Sequence, residues 1–138
     1  MKEVRTYVPG VPIPQGSKTA FVKNDGKAGM REANGKLKAW RDAIIWKTAK
    51  HRGSFGVHVP VELTCIFVFT RAKSNKDTHH VIKPDLDKLT RAVGDALTLA
   101  GVYADDAQVT RFGADHGKYY TDQVNLAPGL YVTLKEIQ

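Results

Sequence analysis

Residues 59–70 carry a nearly unbroken run of β-branched and aromatic side chains. Such a run reads as a strand. It has little polar alternation, which predicts burial on both faces. Further along, Leu86, Leu89, Val93, Ala96, Leu97 and Ala100 recur at helical spacing, and Gly101 follows as a natural terminator. Residues 37–50 form a second helical pattern, with Leu37, Trp40, Ala43 and Ile44 on one face and His51-Arg52-Gly53 ending it. Residues 6–8, 108–112 and 130–137 read as strands, the last two joined by a Gly- and Asp-containing connector. The order is β-α-β-α-β-β. It predicts an α+β fold, a small mixed sheet carrying two helices, in a single domain over residues 1–138.

Charge narrows the partners. The chain holds 21 Lys and Arg against 14 Asp and Glu, a net charge of +7. A surplus of that size on a small domain attracts polyanions. Nucleic-acid binding competes here with a plain basic surface or a ribosome-associated role. Cys65 is the only cysteine, so no internal disulfide forms and oxidising export is not supported. No apolar segment follows Met1 and no apolar run reaches membrane-span length, so the expectation is a soluble cytoplasmic protein with no membrane partner.

Two polar stretches hold the loose basic residues. Residues 17–36 contain Lys18, Lys23, Lys27 and Arg31, and read either as a surface loop or as an arm lying on a phosphate backbone. Residues 71–83 contain Arg71, Lys73, Lys76, His79, His80 and Lys83. Lys18, Lys73, Lys76 and Lys83 are candidate DNA-backbone contacts, chosen by position. Adjacent histidines without a further soft ligand are a weak zinc signal, so His79 and His80 read better as loop residues near phosphate than as metal ligands. Trp40 and Trp46 read as core or dimer contacts rather than base-stacking platforms.

The chemistry concentrates in residues 83–92. Pro84 keeps Lys83 out of helical geometry, and Asp85 is placed as an N-cap with Asp87 two residues on. Either aspartate alone is explained by capping and by the helix dipole. Asp105 and Asp106 then appear just after the helix, where a strand begins, though a plain turn would also use them. Four carboxylates at two element ends of a basic protein exceed what capping needs. Such groups repel one another unless a cation joins them, and oxygen ligands suit Mg²⁺ or Mn²⁺. Arg91 follows Asp87 by four residues and Asp95 follows Arg91 by four. That is either a surface ion-pair stripe or a cation, Lys88 or Arg91, aimed at a scissile phosphate.

Asp85-Leu86-Asp87-Lys88-Leu89, then Asp95-Ala96-Leu97, then Asp105-Asp106-Ala107-Gln108-Val109 resemble the core motif of the RusA family of Holliday junction resolvases. Pro14-Gln15-Gly16-Ser17-Lys18 and Lys38-Ala39-Trp40-Arg41 resemble its phage and prophage members. The resemblance implies metal-binding aspartates at Asp85, Asp87 and Asp106. It places the family's catalytic lysine at Arg91, where a planar fork replaces a point charge. A common asparagine falls at Lys88, so Lys88 could share that lysine's role. The resemblance further implies a homodimer, intertwined, with two active sites acting on four-way junctions.

The resulting expectation is a Mg²⁺-dependent endodeoxyribonuclease of recombination and repair. Asp85, Asp87 and Asp106 hold the metal, water attacks in line and the 3′-oxygen leaves. The rival readings are a non-catalytic nucleic-acid-binding module whose acids only cap and turn, and a metal nuclease of flaps or forks.

Overall fold

The computed structural model describes residues 2–16, 18–22, 28–32 and 35–138. Strand β1, Glu3–Pro9, leads to a two-stranded antiparallel hairpin of β2, Lys18–Val22, and β3, Ala28–Glu32. The polar stretch read as a loop or an arm therefore includes a paired ribbon. Helix α1, Lys36–Thr48, ends in a 3₁₀ turn, Ala49–His51. Strand β4 spans Val61–Phe69 and helix α2 spans Leu86–Ala100. A second 3₁₀ turn, Asp106–Gln108, precedes β5, Val109–Phe112. Strand β6, Gly117–Tyr120, a one-turn helix α3, Thr121–Val124, and β7, Gly129–Glu136, complete the chain.

The main sheet is mixed, with order β1-β7-β4-β5. Its antiparallel part is β1 against β7 and β7 against β4. Both β5 and β6 run parallel to β4 on its remaining edge. Strand β5 takes Val61 to Leu63, and β6 takes Ile66 to Phe69. Parallel neighbours need a crossover, and α2 supplies it between β4 and β5. The α+β class and mixed sheet match the sequence reading. Absent from that reading are the hairpin, β6 and α3, so the order is longer than β-α-β-α-β-β.

Leu89, Val93, Ala96 and Leu97 of α2 are fully buried and share one core with Val61, Leu63, Cys65 and Phe67 of β4 and Trp40 and Ile44 of α1. Each buried Leu or Val contributes about 1.5–3 kcal/mol. Gly101 ends α2 at φ 74°, and its N–H reaches the carbonyls of Leu97 and Thr98. Burial of β4 on both faces holds only at Phe67, Val68 and Phe69. Before that the strand alternates, and Glu62, Thr64 and Ile66 are half-buried. Their face carries a cross-strand row of Tyr7, Tyr131 and Ile66, with the two tyrosine rings stacked at 4.5 Å. Trp40 and Phe55 belong to the core, whereas Trp46 is 82% exposed. Among the described residues, no helix is long and apolar enough to cross a membrane.

Candidate active site

Asp85 occupies the N-cap position of α2, with extended φ −73° and ψ 139°. Its carbonyl accepts the Leu89 N–H at 3.0 Å, but its side chain caps nothing. The carboxylate instead meets the Lys83 ammonium, 3.1 Å from Oδ1 and 3.2 Å from Oδ2. That bond holds the Asp85 carboxyl below the usual range, with Lys88 and Lys118 adding to the effect.

Asp87, one residue inside the helix, is exposed on a cleft of about 270 Å³. Asp106, at the start of the second 3₁₀ turn, lines the same cleft, as do Arg91, Thr90, Gly94 and Tyr103. The local sequence assigns different tasks to the two neighbouring acids after α2. Asp105 is the cap: its Oδ1 accepts the Ala107 N–H at 2.8 Å. Gln108 closes that box, accepting the Asp105 N–H at 3.1 Å and donating to the carbonyls of Gly56 and Val59 at 2.8 and 2.9 Å. Thus the turn reading describes Asp105, and Asp106 lines the cleft. Partial burial raises the Asp106 pKa, and the negative charges of Asp105 and Asp95 push it further up. An added cation would relieve that repulsion.

Gly94 forms part of the cleft floor. A β-carbon at Gly94 would stand 3.7 Å from the Asp106 β-carbon. The Tyr103 hydroxyl donates to the Gly94 carbonyl at 3.1 Å, and burial raises the phenol's pKa.

The helix is also tied to the sheet through His116. Between the stretches that β5 and β6 occupy, the edge of β4 has a gap, and the Cys65 N–H there donates to His116 Nδ1 at 2.9 Å. The ring proton therefore sits on Nε2, 3.0 Å from Thr90 Oγ1, and the Thr90 hydroxyl donates to the Leu86 carbonyl at 2.9 Å. The imidazole stacks on Phe112 at 4.3 Å.

Among the described residues, Arg91 has no ion-pair or hydrogen-bond partner, and neither the Asp87–Arg91 nor the Arg91–Asp95 pair forms. The guanidinium is thus available to the cleft. Lys88 does not line it. The Lys88 carbonyl accepts the Gln15 N–H at 2.9 Å, which anchors residues 12–16 to the acidic helix. Asp85 lies outside the lining as well. Among the described residues no three His, Cys, Asp or Glu stand close enough to hold a metal ion, so the carboxylates brought together are Asp87 and Asp106.

Lys73 and Lys76 are exposed along a separate open groove of about 780 Å³. Arg71, on the same groove, is committed to structure. It grips Asp122 with Nε and Nη2 at 2.9 Å each, donates to the Asp77 carbonyl, and lies 4.0 Å above the Tyr120 ring. The Lys18 side chain lies outside the described residues. Of the two histidines, His79 is exposed, whereas His80 is buried between Phe69 and Tyr120 at 4.5 and 4.8 Å. Packing between the two aromatic rings accounts for the burial of His80.

The sequence reading missed Gly94, Tyr103, Thr90, His116 and Lys118. Gly94 alone left a local signal, since a glycine inside a strong helical pattern marks a close approach.

The architecture sets an acidic cleft between a crossover helix and the strand after it, in a basic protein. The family model described as endodeoxyribonuclease RusA matches residues 9–135 of the 138. The chain belongs to the RusA family and is an endodeoxyribonuclease. A comparison with curated proteins finds no match.

Proposed function

We propose that this protein is a Mg²⁺-dependent resolvase that cuts four-way DNA junctions during recombination and repair, in the cytoplasm of a cell or its prophage. The observation that carries the reading is the convergence of Asp87, Asp106 and the unpaired Arg91 on one cleft. The donor set fits the metal. Mg²⁺ is commonly held by one or two carboxylates, with waters and substrate phosphate completing its shell. Asp87 and Asp106 would hold it (Mn²⁺ equally), with Asp85 joining once Lys83 lets go. When bound, the cation neutralises the phosphate and lowers the pKa of a water.

The protein's own groups do the rest. Arg91 offers its guanidinium to charge that grows on the phosphate in the transition state, with Lys88, about one turn earlier on the helix, as a second cation. His116 and Thr90 fix the first turns of α2 against β4, so that Asp87 stays in place. Gly94 keeps the floor low enough for Asp106 to face the cleft. Lys73, Lys76 and Lys83, with Lys18, contact the DNA backbone. The 3′-oxygen leaves and the nick remains ligatable. Two matched cuts need two such clefts, and among the described residues one chain supplies a single one. The working unit is therefore a two-fold homodimer, for which Trp46 and Leu99, 82% and 65% exposed, are the apolar surface on the two helices.

A synthetic four-way junction, incubated with and without Mg²⁺, tests the reading. Paired nicks that require metal, and that vanish in Asp85→Asn, Asp87→Asn and Asp106→Asn while junction binding persists, are the expected result. Equal cutting of junction and linear duplex would overturn junction selectivity. Normal nicking by any one variant would remove that aspartate from the metal site.

A further inference from the structure

We propose that Lys118 is a positioning residue for the acidic end of α2, an inference that rests on the metal-dependent reading above. Strand β6 places Lys118 opposite Phe67 of β4, beneath the connector that runs from β4 into α2. Its ammonium donates to the carbonyls of Ile82 and Pro84, at 2.8 and 2.9 Å. Pro84 immediately precedes Asp85, and Ile82 lies three residues before it.

His80, packed between Phe69 and Tyr120, anchors the connector two residues before Ile82, and beyond it the chain is more open. Val81 and Ile82 are 71% and 51% exposed, and among the described residues no backbone–backbone hydrogen bond ties residues 79–84 to another element. Earlier stretches of the connector are pinned to the same side of the fold by Asn75 on the Tyr120 hydroxyl, at 2.9 Å, and by Arg71 on Asp122. Lys118 is the last pin before the acids. A half-buried ammonium needs partners in place of water, and here two of its three protons are spent on main-chain oxygens. Lys118 thus serves Asp85 by fixing the peptide that carries the carboxylate.

This role differs from that of a phosphate contact, and the two are separable. Lys118→Met keeps the aliphatic stem and removes the donors. Four measurements are made on the full chain: single-turnover cleavage of a four-way junction at saturating protein, Mn²⁺ binding to the DNA-free protein by calorimetry, the salt dependence of junction binding, and amide exchange of residues 80–88. The expected pattern is a cleavage rate lower by about tenfold or more, weaker Mn²⁺ binding, faster exchange at 80–88 and an unchanged salt slope. Lys118→Arg, which keeps a donor cation, should recover part of the loss. A methionine variant with wild-type Mn²⁺ binding and exchange overturns the proposal. A flattened salt slope with an unchanged saturated rate also overturns it and makes Lys118 a DNA contact. If Lys118→Met does not fold, Lys118→Gln carries the same four measurements. A wild-type protein that fails to cut junctions sinks the parent reading instead, and Mn²⁺ binding and exchange then still decide the role of Lys118.

Discussion

Lys83 holds Asp85 by both carboxylate oxygens, at 3.1 and 3.2 Å. Lys83 is largely exposed, so the pair is weak and exchangeable. With Asp85 as the proposed metal ligand, metal binding would compete with the Lys83–Asp85 contact. Lys83→Ala should lower the Mg²⁺ concentration for half-maximal cleavage by roughly two- to fivefold. It should also loosen junction binding, because the variant lacks the ammonium proposed to reach phosphate. A metal titration of single-turnover cleavage checks the first effect, and an unchanged or higher half-point would count against the competition.

Gly94 separates two consequences of filling the cleft floor. An alanine β-carbon there would be 3.7 Å from the Asp106 β-carbon and 3.8 Å from Oδ2, ordinary contact distances. Replacing glycine inside a helix gains up to about 1 kcal/mol. Gly94→Ala should accordingly raise the melting temperature and still cut DNA. Gly94→Leu extends into the space that Asp106 faces, and should fold but lose cleavage. Normal nicking by the leucine variant would show that the floor does not set the position of Asp106.

What the sequence made legible was local. The apolar period of α2 and the left-handed Gly101 are properties of the helix itself, and both could be read directly. The acids at its two ends could be read for the same reason. The division of labour between Asp105 and Asp106 could not, because it depends on Gln108 reaching back to Gly56 and Val59. Strand β6 is four residues long, and its pairing exists because β5 leaves half of the β4 edge vacant. Nothing within Gly117-Lys118-Tyr119-Tyr120 announces that vacancy. Lys118 and His116 were invisible with it, since each acts on an element far away in sequence. The hairpin of β2 and β3 is polar and Gly-bearing, so its strands lack the alternation that marks a half-buried sheet.

The cations fall into three groups with different expected signatures. Arg91 has no partner among the described residues and faces the acidic cleft, so Arg91→Ala should slow saturated cleavage more than it weakens binding. Lys73 and Lys76 are exposed on the open groove. Lys76→Ala should weaken junction binding and reduce the salt slope by about one unit, with little change in saturated rate. Arg71→Ala should chiefly cost stability, because its bonds are to Asp122 and the Asp77 carbonyl. Rates at saturating protein, binding against salt, and urea midpoints distinguish the three. If Lys88→Ala slows cleavage more than Arg91→Ala, the catalytic cation sits one turn earlier on the helix.

His116 makes folding stability depend on pH in a defined direction. Its Nδ1 must be unprotonated to accept the Cys65 N–H, and burial holds the imidazole pKa below its ordinary 6.5. The unfolded chain thus takes up a proton at a higher pH than the folded chain does. The contribution of the neutral ring is complete above pH 6.5 and is lost as pH falls through the lower folded value. His51 and His80 are shifted the same way by burial, so the wild-type protein should weaken through this window by the sum of the three. His116→Phe preserves the stack on Phe112 but strands the Cys65 N–H, which should cost about 1–3 kcal/mol near neutral pH. Protonation of His116 in the wild type breaks the same hydrogen bond, so the gap between the two proteins should narrow on acidification. Urea denaturation at about pH 8 and about pH 5 measures that gap. A gap of equal size at both values would mean that the His116 bond to Cys65 does not titrate in the folded protein.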